Sequence, residues 1–288
     1  MVEALRAAEI QAVVAEKNKI VLDVSVHQSI DSTNSWSMGQ SKQGRVLPFA
    51  CFAEQQEHGK GRRGKQWLMK PRTNIAMSVS WPFTSAESLS LLPLSVAIAI
   101  TQLLEDYGLQ HVQVKWPNDV YVQGAKIAGI LIETAPISME AKEAGSLAVV
   151  IGIGLNFDLD AEVLAQIKSQ GQSSAEITDI SRQFEVQQIS MRPSREQVAS
   201  GLLSRVLQLC QNFEQQAVLS LEDFRRRYDY CMGKNIDLIL DADERLSGVG
   251  CGVSDNAELM VRLDGSDVVR YFNSAEVSVR ADLKEGVG

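Results

Sequence analysis

The sequence predicts an α+β protein in two units, a larger one over residues 1–230 and a small β-barrel over 231–288. Three observations predict it. Apolar runs of strand length at 47–54, 74–81, 127–133 and 147–153 are bounded by turn residues. Between them lie stretches whose apolar residues recur at helical spacing. After Cys231 the texture changes to short strands at 236–240, 246–253, 258–263, 268–272 and 276–279, separated by Gly, Asp and Asn. So small a β-unit has little core of its own and is expected to dock on the larger one.

Residues 2–16 place Leu5, Ile10, Val13 and Val14 on one stripe and predict a helix, and 20–26 alternates as a strand. Asp31-Ser32-Thr33-Asn34-Ser35 is rich in N-capping side chains and predicts a helix start. The same side chains could line a polar pocket, and both readings stand at this point. Residues 88–107 predict a buried helix, with Pro93 in its first turn and Gly108 as its stop. Val112 and Val114 predict a short strand that turns at Trp116-Pro117-Asn118-Asp119 and resumes at 120–122. That segment is either a hairpin turn or a rigid strand end presenting Lys115, Asn118 and Asp119. Lys126 opens an apolar strand, a costly place for a charge unless it meets an anion.

Residues 136–146 are polar and predict an exposed loop. The apolar run 147–153 predicts a strand, and as a candidate sheet edge it could pair with a second copy of the chain in a homodimer. Gly154-Leu155-Asn156 follows, where glycine permits close backbone approach and Asn156 could orient a ligand. Residues 158–193 are polar apart from a helix at 161–168. A helix over 194–216 carries Val198, Leu202, Leu203, Val206, Leu209 and Phe213 on one face, and another covers 219–230.

The chain centres on the stretch from Gly59 to Trp67, which holds three glycines and four cations between two strands. A loop of this composition is built to receive an anion. Gly59-x-Gly61-x-x-Gly64 has dinucleotide-loop spacing, and Gly59-x4-Gly64-Lys65 has most of a phosphate loop. Both motifs need a helix beginning at the last glycine. Pro71 leaves no room for two turns, and Gln66 lacks the hydroxyl such a loop uses for magnesium.

Composition narrows the classes of function. The 288 residues are 45% apolar, enough for one large core and a small one. The charge, 28 − 36 = −8, disfavours DNA as a partner, so the basic loop is a local feature on an acidic chain. Four widely spaced cysteines and no Cys-x-x-Cys pair predict reduced thiols and a cytoplasmic location. Three histidines without ligand spacing predict no protein-caged metal. The sequence is expected to have no membrane-spanning run and no signal peptide.

The motifs Gln56 to Trp67, Lys115-Trp-Pro-Asn-Asp119, Lys126-Ile-Ala-Gly129 and Gly152-Ile-Gly-Leu-Asn156 occur together and in order. That set resembles the biotin protein ligases, the biotin–[acetyl-CoA-carboxylase] ligases of bacteria. Asp31 to Asn34 and Asn273 to Arg280 also fit, so the resemblance spans nearly the whole chain. It implies a central mixed β-sheet flanked by helices, with an SH3-like C-terminal barrel. It also implies ATP-dependent conversion of biotin to biotinyl-5′-AMP and transfer to one lysine of a carrier protein. Lipoate–protein ligation and non-catalytic biotin binding are the alternatives.

By this resemblance Ser32, Thr33, Asn34, Gln56, Gly59, Lys60, Arg62, Lys126 and Gly129 serve biotin. Arg63, Gly64, Trp67, Asn118, Asp119, Lys126, Asn156 and Arg280 serve ATP. Lys126, Arg62 and Lys115 are the candidate catalytic residues, with Mg2+ arriving on the triphosphate. The implied partner is the biotin carboxyl carrier domain of acetyl-CoA carboxylase. Some relatives carry an N-terminal helix-turn-helix domain. About 20 residues precede the first catalytic strand here, and the expectation is a single-function, DNA-free form or an engineered truncation.

The chain departs from the family pattern at Lys60, where an arginine is usual, and at Ser274-Ala275-Glu276, where Gly-Glu is common. Lysine keeps the charge and loses the planar fork. Lys60→Arg is therefore expected to slow dissociation of the adenylate, measured by release of labelled biotinyl-AMP. Equal rates for the two proteins would sink this prediction.

Overall fold

The computed structural model describes residues 3–83, 89–136, 147–169, 177–240, 244–274 and 278–281. A seven-stranded mixed sheet forms its centre. The strands are β1 (Asp23–His27), β2 (Phe49–Ala53), β3 (Asn74–Phe83), β4 (Val112–Lys115), β5 (Asp119–Val122), β6 (Ala125–Pro136) and β7 (Leu147–Asn156). Their order is β1-β2-β3-β7-β6-β5-β4. β1 runs parallel to β2, and the other pairs are antiparallel.

The two faces of this sheet differ in composition. Opposed residues in an antiparallel pair share a face, and successive residues alternate between faces. Ile75, Met77 and Val79 of β3 therefore lie beside Leu155, Ile153 and Ile151 of β7. On the other face Ala76, Ser78 and Ser80 lie beside Gly154, Gly152 and Val150, with Gly129, Leu131 and Glu133 of β6 completing the rows. The aliphatic face is covered by α1 (Ala7–Asn18), α3 (Leu92–Asp106) and α6 (Arg195–Gln211), whose buried side chains make the core. The small and polar face receives only α2 (Thr33–Lys42) among the longer helices, and so keeps open space.

Several expectations change. Strand 147–153 is the expected candidate edge, but β7 lies inside the sheet between β3 and β6. Its backbone groups are already paired, so it offers nothing to a second copy. The edges are β1 and β4. The expected helix over 194–216 ends at Gln211, because Asn212 leaves helical geometry at φ −130°, ψ 38°, and α7 (Phe213–Asp223) begins there. Within the polar stretch a short helix, α5 (Ile180–Val186), was not expected. Asp179 caps it by accepting from the Arg182 N–H at 2.8 Å, and Ile180 and Phe184 bury one side. Helix α4 (Ala161–Ser169) agrees with the sequence. The loop expected at 136–146 falls, from 137 on, outside the described residues.

Against the expectation of no spanning run, Leu89–Asp106 is long and apolar enough to cross a membrane, with a mean hydropathy of 1.4 over 18 residues. It is folded into the core, where α3 packs on α6, α7, β4 and β6. Beyond Tyr228 the chain forms a five-stranded antiparallel sheet, consistent with the expected SH3-like barrel. Its strands are β8 (Asn235–Ile239), β9 (Arg245–Val253), β10 (Leu259–Leu263), β11 (Val269–Phe272) and β12 (Ser278–Ala281), in the order β11-β10-β9-β8-β12.

One buried ion pair joins four segments. Arg195, at the start of α6, places Nη1 2.8 Å from Glu54 Oε2, and both side chains are 2% exposed. Glu54 Oε1 accepts from the Leu5 N–H at 2.7 Å, and Arg195 Nε donates to the Asn74 carbonyl at 2.9 Å. Removing one partner of such a pair strands a charge in the core, at a cost of about 3–5 kcal/mol. Glu54→Leu is expected to show that loss in urea unfolding, and Glu54→Leu/Arg195→Met to recover part of it. A double variant as unstable as the sum of the singles would contradict this.

Candidate functional site

On the polar face of the main sheet lies a cavity of about 430 Å³. Its walls come from the start of α2, the basic loop, the 115–119 turn and β6–β7, with Ile239 and Val279 of the C-terminal sheet at its rim. Most of the residues singled out in the sequence line it: Ser32, Thr33, Asn34, Gln56, Lys60, Arg62, Arg63, Trp67, Lys115, Asn118, Asp119, Lys126, Gly129 and Asn156. Gly59 and Gly64 shape the loop without lining the cavity. The Arg280 backbone pairs with Asp237 in the C-terminal sheet, and its side chain lies outside the described residues, as does Glu276.

The basic loop is a hairpin. The Trp67 N–H donates to the Gly59 carbonyl at 2.8 Å and the Gly61 N–H to the Lys65 carbonyl at 2.7 Å. Its tip is one 3-10 turn, Arg62–Gly64, with Arg63 and Gly64 at φ 55° and 71°. No α-helix starts at Gly64, so neither glycine motif has its required context. A Cβ at Gly59 would meet the Trp67 carbonyl oxygen at 2.4 Å, which excludes other residues from the narrow end of the hairpin. The tip arginines reach across to the C-terminal sheet. Arg62 donates to Asn118 Oδ1 at 3.1 Å and to the Ser274 carbonyl, and Arg63 donates to the carbonyls of Ile239 and Leu240.

At the start of α2 both sequence readings hold together. Ser32 caps the helix, its hydroxyl accepting from the Ser35 N–H. Gln56 Oε1 accepts from the Thr33 N–H at 2.8 Å and its hydroxyl at 3.1 Å, tying the helix to the foot of the loop. Asn34 lies over Gly152, where a Cβ would come within 2.1 Å of its Oδ1. Its carboxamide is held by the Ser78 hydroxyl, the Glu133 carboxylate and the Leu131 carbonyl. Asn156 is fixed in the same way by Asn74 and the Thr178 carbonyl.

Lys126 reaches the cavity through a register shift. Asp119 pairs with Gly129 and Val120 with Ala128, but Tyr121 pairs with Lys126, skipping Ile127. A bulge of this kind re-aims a side chain. Ile127 turns into the core, and Lys126 Nζ comes 2.7 Å from Asp119 Oδ1. The anion that the sequence demanded for Lys126 is this carboxylate.

Trp67 closes the floor. Its indole lies over Gly154, where a Cβ would come within 2.3 Å, and against Gly129, where the gap would be 3.2 Å. Its Nε1 is buried without a hydrogen-bond partner among the described residues. Lys115 lines the cavity with no ion pair among the described residues. Burial pushes its pKa below the usual lysine value, with Cys231 and Asp119 opposing the shift. Sequence reasoning passed over Tyr121, which also lines the cavity, and Glu133, which holds Asn34. The sequence placed Tyr121 only within the strand that resumes at 120–122.

The fit of Trp67 on a bare backbone makes a direct prediction. Gly154→Ala is expected to expel the indole, raising acrylamide quenching of tryptophan emission. Quenching identical to wild type would show that the indole does not rest on Gly154 in solution.

Residues 26–156 match the model of the Biotin/lipoate A/B protein ligase family. The bifunctional ligase/repressor BirA of Escherichia coli is 28% identical over 265 residues, covering 91% of this chain and 75% of its own. The biotin--[acetyl-CoA-carboxylase] ligase of Mycobacterium tuberculosis is 28% identical over 254 residues, covering 83% of this chain and 82% of its own. Among solved structures, the biotin protein ligase from Aquifex aeolicus in complex with biotin and ATP shares the fold, with a TM-score of 0.68 at 20% identity over 90% of this chain and 99% of that one. Family model, relatives and fold agree: residues 26–156 match the biotin/lipoate A/B protein ligase family, and along most of its length the chain is similar to biotin protein ligases.

Proposed function

We propose that this chain joins biotin to ATP and then transfers the biotinyl group to a lysine of a biotin carboxyl carrier domain, that of acetyl-CoA carboxylase. The observation that carries the reading is a charge imbalance. Lys60, Arg62, Arg63, Lys65, Lys115 and Lys126 line the cavity beside one carboxylate among the described residues, Asp119, in a chain of net charge −8. Cations gathered against that trend are supported by an anionic ligand. The cavity floor is bare backbone and indole, which suits the apolar part of biotin.

In the first step a biotin carboxylate oxygen attacks the α-phosphorus of ATP, and the bond to the bridging oxygen breaks to release pyrophosphate. Two anions must approach, so fixed cations lower the barrier. Lys126, aimed into the cavity by the bulge and held by Asp119, would bridge the two reacting groups. Arg62 and Lys115 face the developing charge. Ser32, Thr33, Asn34, Gln56, Gly59, Lys60 and Gly129 form the biotin side. Arg63, Gly64, Trp67, Asn118, Asn156 and Arg280 form the nucleotide side. Magnesium neutralises charge on the triphosphate when bound. Asp119 is the lining carboxylate that would reach it, and no cluster of three or more acidic, His or Cys ligands exists among the described residues. In the second step the acceptor amine attacks the acyl carbon and AMP leaves. Until then the anhydride must be kept from water, a task for the hairpin loop.

Mass spectrometry of a carrier domain incubated with the protein, MgATP and equal biotin and lipoate tests the reading. One biotinyl adduct on one lysine is expected; a lipoyl adduct would overturn the specificity, and neither adduct nor adenylate would overturn the activity. Arg62→Gly removes the contacts to Asn118 and Ser274 and is expected to release adenylate about tenfold faster or more. Unchanged release, with no labelling of non-carrier lysines, would remove Arg62 from the closing device.

A further inference from the structure

A cation that waits for an anion must be aimed, and no carboxylate aims Lys115. It ends β4 and borders the cavity, without an ion pair or side-chain hydrogen bond among the described residues. What faces its ammonium is the ring of Tyr121, with Nζ 5.5 Å from the centroid. Tyr121 is buried and stacks on Tyr230, centroids 4.8 Å apart and planes tilted by 31°. Tyr230 is buried in turn, and the Lys234 ammonium lies 3.5 Å from its ring centroid. Two cations and two rings thus form a ladder from the cavity to the start of the C-terminal sheet.

The backbone reinforces the ladder. The Tyr230 N–H donates to the carbonyl of Val114 at 3.0 Å, one residue before Lys115, and Asp229 bridges to Val114. Ring and main chain of Tyr230 therefore both bear on the strand end that carries Lys115. An ammonium is drawn to the face of a ring and not to its edge, so the tilt of Tyr121 decides where Lys115 rests.

We infer that Tyr230 is a positioning residue for Lys115: it fixes the Tyr121 ring on which the ammonium rests, and so couples the start of the C-terminal sheet to the cavity. This rests on the reading of Lys115 as a cation that meets ATP during adenylation. Tyr230 itself does not line the cavity.

The test is pyrophosphate release from biotin and MgATP by wild type, Tyr230→Leu, Tyr230→Phe, Lys115→Ala and the Tyr230→Leu/Lys115→Ala double variant. Tyr230→Leu is expected to lower kcat about tenfold with KM for biotin unchanged, and Tyr230→Phe to restore the rate. The double variant is expected to be no slower than Lys115→Ala, because a residue acting through Lys115 has nothing left to position. If Tyr230→Leu does not fold, Tyr230→Met carries the same cycle with the volume kept. Additive losses in the double variant, or a ringless variant as fast as wild type, would overturn the positioning role and leave the reading of Lys115 intact. Full activity in Lys115→Ala would overturn that reading, and the positioning role with it.

Discussion

The ion pair between Glu54 and Arg195 is the anchor on which the site depends. Glu54 is the residue after β2, where the chain leaves the sheet for the basic loop, and Asn74 is where it returns in β3. Arg195 holds both points, one through the carboxylate and one through the Asn74 carbonyl. The Arg72 N–H adds a bond to the Glu54 carbonyl at 3.3 Å. A loop whose composition favours motion is thereby rooted in the most buried part of the molecule. Charges in such a place persist only with a partner charge and further hydrogen bonds, although Arg195 Nη2 has no partner among the described residues. Here a helix start, the N-terminal segment and two strand ends supply those bonds.

From that anchor outward, the sheet separates two jobs by face. The aliphatic face gives stability through burial against α1, α3 and α6. The opposite face gives up packing: glycines stand at 129, 152 and 154 where side chains would otherwise fill the layer. Two long-range side chains take the vacated space, Asn34 over Gly152 and Trp67 over Gly154. Each brings polar or aromatic surface into contact with bare backbone. The result is a floor that is apolar and flat beneath a rim of cations, a shape suited to a ligand with an apolar body and an anionic end.

The C-terminal sheet belongs to this arrangement. Carbonyls at Ile239, Leu240 and Ser274 accept from the tip arginines of the loop, and the Ala257 carbonyl accepts from buried Trp116 Nε1 at 2.7 Å. Trp116 stands inside the same turn that presents Lys115 and Asn118. Contacts through main-chain carbonyls place few demands on sequence, so this docking left little trace in residue identity.

The sequence by itself determined the strands, most helices and most of the polar and charged residues that line the cavity. It could do so because apolar period is a local property, and because glycines, cations and Asn-Asp turns were dense enough to mark where an anion would go. Gly59, Trp67 and Lys126 were legible in that way. Only the tertiary structure decided the rest. Which strands are edges depends on pairing across the sheet, so the apolar run 147–153 gave no sign that it would lie between β3 and β6. The bulge at Ile127 turns Lys126 to the cavity by one skipped residue, which a strict alternation assigns to the core. The Glu54–Arg195 pair spans 141 residues, and the Tyr121–Tyr230 stack also joins segments far apart in the sequence. Such contacts are set by where the folded chain brings side chains together, and no local pattern encodes that meeting.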